Sequence, residues 1–155
     1  MLFTIPGLAT LELNHLVLDF NGTIARDGQL LSNLDRTIVQ LADKINLHVI
    51  TADTGGTVSH ELAGLPCVLK IIECDDEAEQ KAAYVRSLGA EHTICFGNGA
   101  NDCLMLKEAK VGVAILEGEG MAVTTMNNAD IVCRSIYDAF GLLMVQQRLI
   151  ATLRR

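Results

Sequence analysis

Asp19 is the first residue whose placement asks for a chemical reason. The apolar run Leu16-Val17-Leu18 carries it into a turn containing Asn21, Gly22 and Thr23. A buried strand gains nothing by ending on a carboxylate, because an ionised group taken from water is costly unless something compensates it. Two more apolar runs end in the same manner. The run through Ile50 leads into Thr51, Ala52, Asp53 and the pair Gly55-Gly56, and the run ending at Phe96 leads into Gly97-Asn98-Gly99-Ala100-Asn101-Asp102. Each segment alone reads as well as a helix cap or turn, since Asp, Asn, Ser and Thr cap helices routinely. Three of them, with glycines that let a ligand approach the backbone, read as one polar site.

Lys81 is an independent clue. The helix expected from Asp76, with Asp76 and Glu79 as a capping pair, has Ala78, Ala82, Val85 and Leu88 at helical spacing. Lys81 falls at the edge of that inward stripe. Either its stem covers apolar surface while its head reaches water, or it balances an anion. Beside the carboxylates at the strand ends, the second reading makes a set. Asp19, Thr51, Lys81 and Asp102 then supply a nucleophile, a phosphate-binding hydroxyl, a phosphate-binding cation and a metal carboxylate, the parts of a phosphoryl-transfer site.

Such residues need a scaffold that brings distant strand ends together. The runs at 15–20, 46–52, 67–72, 92–97, 111–116 and 130–133 have strand length, and they alternate with segments of helical period at 33–44, 57–65, 76–88, 101–109, 121–127 and 136–153. This alternation predicts an α/β domain with a mainly parallel sheet, in which ligands collect outside the C-terminal ends of the strands. The N-terminal LFTIPGLATLEL predicts an added hairpin turning at Pro6-Gly7.

The 155 residues fit one domain, 1–155, and half of them are apolar against 20% charged, which excludes disorder. The formal charge of −7 disfavours nucleic acid and anionic membrane as partners. No apolar stretch approaches the roughly 20 residues of a membrane span, and the N-terminus lacks a signal-peptide pattern, so a cytoplasmic location is expected. Cys67, Cys74, Cys95, Cys103 and Cys133 form no CxxC pair and are expected to be buried, reduced thiols.

The motifs, in order, resemble those of the haloacid dehalogenase superfamily. VLDFNGTI resembles its Asp-x-Asp-Gly-Thr, Thr51 in HVITAD its Ser or Thr at a strand end, Lys81 its lysine, and FGNGAND its Gly-Asp-Gly-x-Asn-Asp. Within that superfamily the chain is similar to soluble P-type ATPase-like phosphatases, and NADIVC resembles their Ala-Asp-Ile-Val segment. The resemblance implies a three-layer Rossmann-like core, a phosphorylated substrate and a Mg²⁺ cofactor. It implies that Asp19 becomes an aspartyl phosphate, that Thr51, Ala52, Lys81 and Asn101 hold the phosphoryl group, and that Asp19, Asn21, Asn98 and Asp102 hold the metal.

Two positions depart from the family pattern. Asn21 replaces the aspartate that acts as general acid and base, and Asn98 replaces a metal carboxylate. General acid–base catalysis is worth about 10²–10⁴-fold, so a slow phosphohydrolase is expected. The alternatives are a phosphoryl-accepting switch with a long-lived phosphoenzyme and a non-catalytic domain that binds phosphorylated ligands. The intervals 19–51 and 51–81 are each filled by one helix and its neighbours, leaving no room for an inserted cap domain. An uncapped site implies a large or broad substrate, or a cap supplied by another subunit, as in a homo-oligomer. The segment ARDGQLLS is expected to form a small flap, with Arg26 either reaching an incoming anion or solvated in the turn.

Overall fold

The computed structural model describes residues 1–53 and 56–155. All six apolar runs form strands of one parallel sheet: β3 (His15–Asp19), β6 (Asn46–Thr51), β7 (Val68–Ile71), β8 (Thr93–Gly97), β9 (Val111–Ile115) and β10 (Ile131–Cys133). Their spatial order is β10-β9-β8-β3-β6-β7, which puts β3 between β6 and β8. The order reverses at β3, the switch point where the loops of neighbouring strands diverge and leave a crevice. Asp19, Thr51 and Gly97 therefore end three adjacent strands on the same edge.

Alternation along the central strands sorts their side chains between two cores. Leu16 and Leu18 of β3, Ile94 and Phe96 of β8, and Val111, Val113 and Ile115 of β9 point to one face. That face is covered by α1 (Leu34–Ala42), α6 (Ile136–Met144) and α7 (Gln146–Leu153), and by the hairpin of β1 (Leu2–Thr4) and β2 (Thr10–Glu12). Val17, Ile50, Cys95 and Ala114 point to the other, against α3 (Glu77–Leu88) and α4 (Cys103–Glu108). The result is the expected three-layer α/β architecture.

Several boundaries differ from expectation. The segment 57–65 holds only one helical turn, α2 (Val58–Glu61), and Gly64-Leu65-Pro66 stops it there. The segment 101–109 begins as a 3₁₀ turn over Ala100–Asp102 before α4, and 121–127 shortens to α5 (Val123–Met126). The expected helix over 136–153 breaks at Val145, whose φ of −117° and ψ of 84° are not helical. The break lets Leu149 reach the first core and brings the C-terminus back to the hairpin, where Arg155 donates its amide to the Pro6 carbonyl. The Asp76–Glu79 capping pair does not form: Asp76 adopts φ 50° without a side-chain cap bond, and Glu79 pairs with Arg86.

The flap is β4 (Ala25–Arg26) paired antiparallel with β5 (Gln29–Leu30). Arg26 reaches Glu117, just after the end of β9, at 3.9 Å. All five cysteines are free, but Cys74 is exposed and Cys67 and Cys103 are half-buried, so the expectation of burial holds only for Cys95 and Cys133. Gly55 lies outside the described residues. Among the described residues no helix is long and apolar enough to cross a membrane, and no domain is inserted between the strands.

Candidate active site

The amphipathic stripe of α3 turns Lys81 beneath the sheet edge, where only 1% of the residue is exposed. Its Nζ donates to Asp19 Oδ1 at 2.6 Å and to Asp102 Oδ1 at 2.6 Å. Burial alone would lower the lysine's pKa, but the two carboxylates outweigh it and raise it, so the ammonium keeps its proton. The carboxyl of Asp19 is pushed up to about 7, by burial first and by the charge of Asp102 second, with Lys81 pulling the other way. Two carboxylates share one cation.

The turn after β3 is fixed against the loop after β8. Gly22 has φ 79°, and a β-carbon there would stand 2.2 Å from Asn98 Nδ2, so the position demands glycine on two grounds. Thr23 Oγ1 lies 3.3 Å from both Asp19 Oδ2 and Asn98 Oδ1. Asn98 Nδ2 donates to the Gly120 carbonyl at 2.9 Å. Thr51 Oγ1 accepts from the Asp53 amide at 3.2 Å, which leaves its own proton for an oxygen in the cavity. Asp53 Oδ1 in turn accepts from the amides of Thr57 and Val58 and caps α2.

A cavity of about 270 Å³ opens at these strand ends. Of the residues expected at the site, Asp19, Asn21, Thr51, Ala52, Lys81, Asn98 and Asn101 line it. Asp102 does not: it is fully buried, Oδ1 is held by Lys81, and Oδ2 accepts from the amides of Asn98 and Gly99 at 2.9 Å each. Three of its acceptor positions are thus taken up by Lys81 and the 97–102 loop. Asp102 anchors Lys81 and folds the 97–102 loop.

Sequence reasoning missed Glu77 and Glu119, which also line the cavity. Glu77 Oε2 accepts from Asn101 Nδ2 at 2.5 Å, and Glu119 Oε1 accepts from the Asp27 amide at 2.9 Å, tying the flap to the loop after β9. Glu119 follows a strand end as Asp19 does, and Glu77 lies one helical turn before Lys81; those were the available signals. Oxygen donors at the cavity that could hold a cation include the carboxylate of Asp19 and the amide oxygen of Asn98. A single carboxylate with neutral oxygens suits a hard ion such as Mg²⁺, which takes one or two carboxylates and completes its shell with water and phosphate.

Known proteins resemble this chain in sequence and in fold. Residues 76–141 match the family model of haloacid dehalogenase-like hydrolases. The fold resembles the cobalt-bound deoxy-D-mannose-octulosonate 8-phosphate phosphatase of Haemophilus influenzae, with a TM-score of 0.70 over 88% of this chain and 90% of that one at 13% identity. Over residues 76–141 the chain is similar to haloacid dehalogenase-like hydrolases, and its fold as a whole is that of these phosphatases. A second structure of this haloacid dehalogenase fold is 3-deoxy-D-manno-octulosonate 8-phosphate phosphatase of Moraxella catarrhalis, in complex with magnesium, phosphate and its sugar. There the TM-score is 0.66, with 18% identity over 92% of this chain and 94% of that one. An uncharacterised protein of Methanocaldococcus jannaschii is 44% identical over 61 residues, a stretch that spans 39% of this chain and 66% of that protein.

Proposed function

We propose that this haloacid dehalogenase-like protein is a Mg²⁺-dependent phosphohydrolase that works through an aspartyl phosphate on Asp19. The observation that carries the reading is a cavity-lining carboxylate held by a buried ammonium at 2.6 Å, a nucleophile beside a phosphate-binding charge. Asp19 attacks phosphorus, while Lys81, the hydroxyl of Thr51 and the backbone at Ala52 receive the phosphoryl oxygens. Asn101, braced by Glu77, closes the far side. Asp19, Asn98 and the Asn21 carbonyl are the residues that would hold Mg²⁺, which supplies charge neutralisation to the transferring group. Phosphoryl transfer depends chiefly on positioning and charge, which supports the reading of this cluster as its site. The phosphatase names of the two structural neighbours agree with the reading.

Intact-protein mass spectrometry after incubation with acetyl phosphate and Mg²⁺, with released phosphate assayed in parallel, tests it. The expected result is a phosphate adduct or phosphate release in the wild type, and neither in Asp19→Asn. Absence of both from the wild type across a panel of phosphate esters and acyl phosphates overturns it.

A further inference from the structure

Asn21 is the residue whose arrangement says most about the substrate. Its Oδ1 accepts a hydrogen bond from the Gly28 amide in the flap turn at 2.9 Å. A side-chain amide has one oxygen acceptor and one NH₂ donor. With the oxygen taken by the flap, the NH₂ is left for the cavity that Asn21 lines. It can donate a hydrogen bond to an oxygen there, but it has no proton to give up.

Among the described residues, the other carboxylates around the cavity are engaged by donors of the protein. Asp53 accepts from the amides at the start of α2, Glu77 from Asn101, and Glu119 from the flap amide of Asp27. Lys81 is held between two carboxylates. Among the described residues the position of Asn21 therefore carries no acid, and the carboxyl groups of Asp53, Glu77 and Glu119 line the mouth.

We propose that the substrate is an acyl phosphate, whose leaving oxygen departs as a stable carboxylate; the inference rests on the phosphohydrolase reading above. In the first step an Asp19 oxygen bonds to phosphorus, the bond from phosphorus to the leaving oxygen breaks, and that oxygen keeps the electron pair. The conjugate acid of a departing carboxylate has a pKa near 4, whereas an alkanol is about as weak an acid as water. The first needs no proton and the second does. In the second step water attacks phosphorus and the bond to Asp19 breaks, returning the carboxylate. One water proton stays on the phosphate and the other goes to solvent. Polyphosphates also leave as stable anions, but their added charge meets Asp53, Glu77 and Glu119 at the mouth.

The test is kcat/KM for phosphate release from acetyl phosphate, 4-nitrophenyl phosphate, ethyl phosphate and pyrophosphate, in wild type, Asn21→Asp, Asn21→Ala and Asp19→Asn. The wild type is expected to lose at least about 10²-fold from acetyl to ethyl phosphate, and Asn21→Asp to narrow that ratio by raising ethyl phosphate about 10²–10⁴-fold relative to acetyl phosphate. Asn21→Ala, which also lacks a proton, is expected to keep the steep dependence, and the carboxylate of Asn21→Asp still accepts the Gly28 amide, so the flap stays in place. Comparable rates on ethyl and acetyl phosphate in the wild type, a flat dependence in Asn21→Ala, no gain on ethyl relative to acetyl phosphate in Asn21→Asp, or a preference for pyrophosphate overturns the proposal while leaving the phosphohydrolase reading intact. Absence of any Asp19-dependent release overturns both.

Discussion

At the residue scale the site turns on one ammonium between two carboxylates. Lys81 neutralises Asp19, which faces the cavity, and Asp102, which does not. Removing one partner of a buried ion pair leaves uncompensated charge and costs about 3–5 kcal/mol. Lys81→Met is therefore expected to be destabilised by that amount in urea unfolding and to release no phosphate. Adding Asp102→Asn removes one of the two stranded charges and is expected to recover at least about 1 kcal/mol of stability, but not activity. If the double variant is no more stable than Lys81→Met, the carboxylates are not the source of the cost. Lys81 was legible in the sequence because a cation on an apolar helical stripe needs an explanation. The contact of Asp102 with Lys81 was not, because spacing does not give the direction of each oxygen.

At the element scale the site is a junction of loops, and small residues hold the junction closed. Gly22 carries the turn after β3 under the side chain of Asn98, with a left-handed backbone and no space for a β-carbon. Gly22→Ala is expected to cost on the order of 1–3 kcal/mol in a denaturant melt and to lower phosphate release, because the turn can no longer hold Thr23 against Asn98. A change within a few tenths of a kcal/mol would mean that the Asn98 loop moves freely. The flap adds a second junction through two bonds, from Gly28 to Asn21 and from Asp27 to Glu119. Periodicity located each helix and strand but not how each ended. The break at Val145 came from the need to return the chain to the hairpin, a tertiary demand that the helical spacing of 136–153 does not register.

At the scale of the whole molecule, the two cores differ in kind. The first is built of apolar side chains with the Cys133 thiol among them, whereas the second layer also holds a polar chain. His15 Nδ1 meets His48 Nε2 at 3.0 Å, and His48 Nδ1 meets the Tyr84 hydroxyl at 2.9 Å. Burial first, and the charge of His15 second, lower the pKa of His48 to about 4. The unfolded chain takes that proton near 6.5, so between about 6.5 and 4 it binds more protons than the folded chain and stability falls as the pH falls. The loss attributable to His48 is expected to be on the order of 2 kcal/mol by urea unfolding at pH 4.5 against pH 7, and to shrink in His48→Gln. An unchanged pH dependence in that variant would place the titration elsewhere. The sequence by itself determined the α/β class, the six strands and the alignment of Asp19, Thr51 and the 97–102 loop. Strand length, helical period and the polar residues after each run are local properties, and the rule that parallel strands gather their loops at one edge needs no coordinates. Only the tertiary structure decided that Asp102 lies below the cavity, that Glu77 and Glu119 line it, and that Asn21 turns its oxygen to the flap. Those are facts of side-chain direction across contacts as distant as Asn21 to Gly28 and Asp27 to Glu119, and spacing along a chain carries no record of where a side chain points.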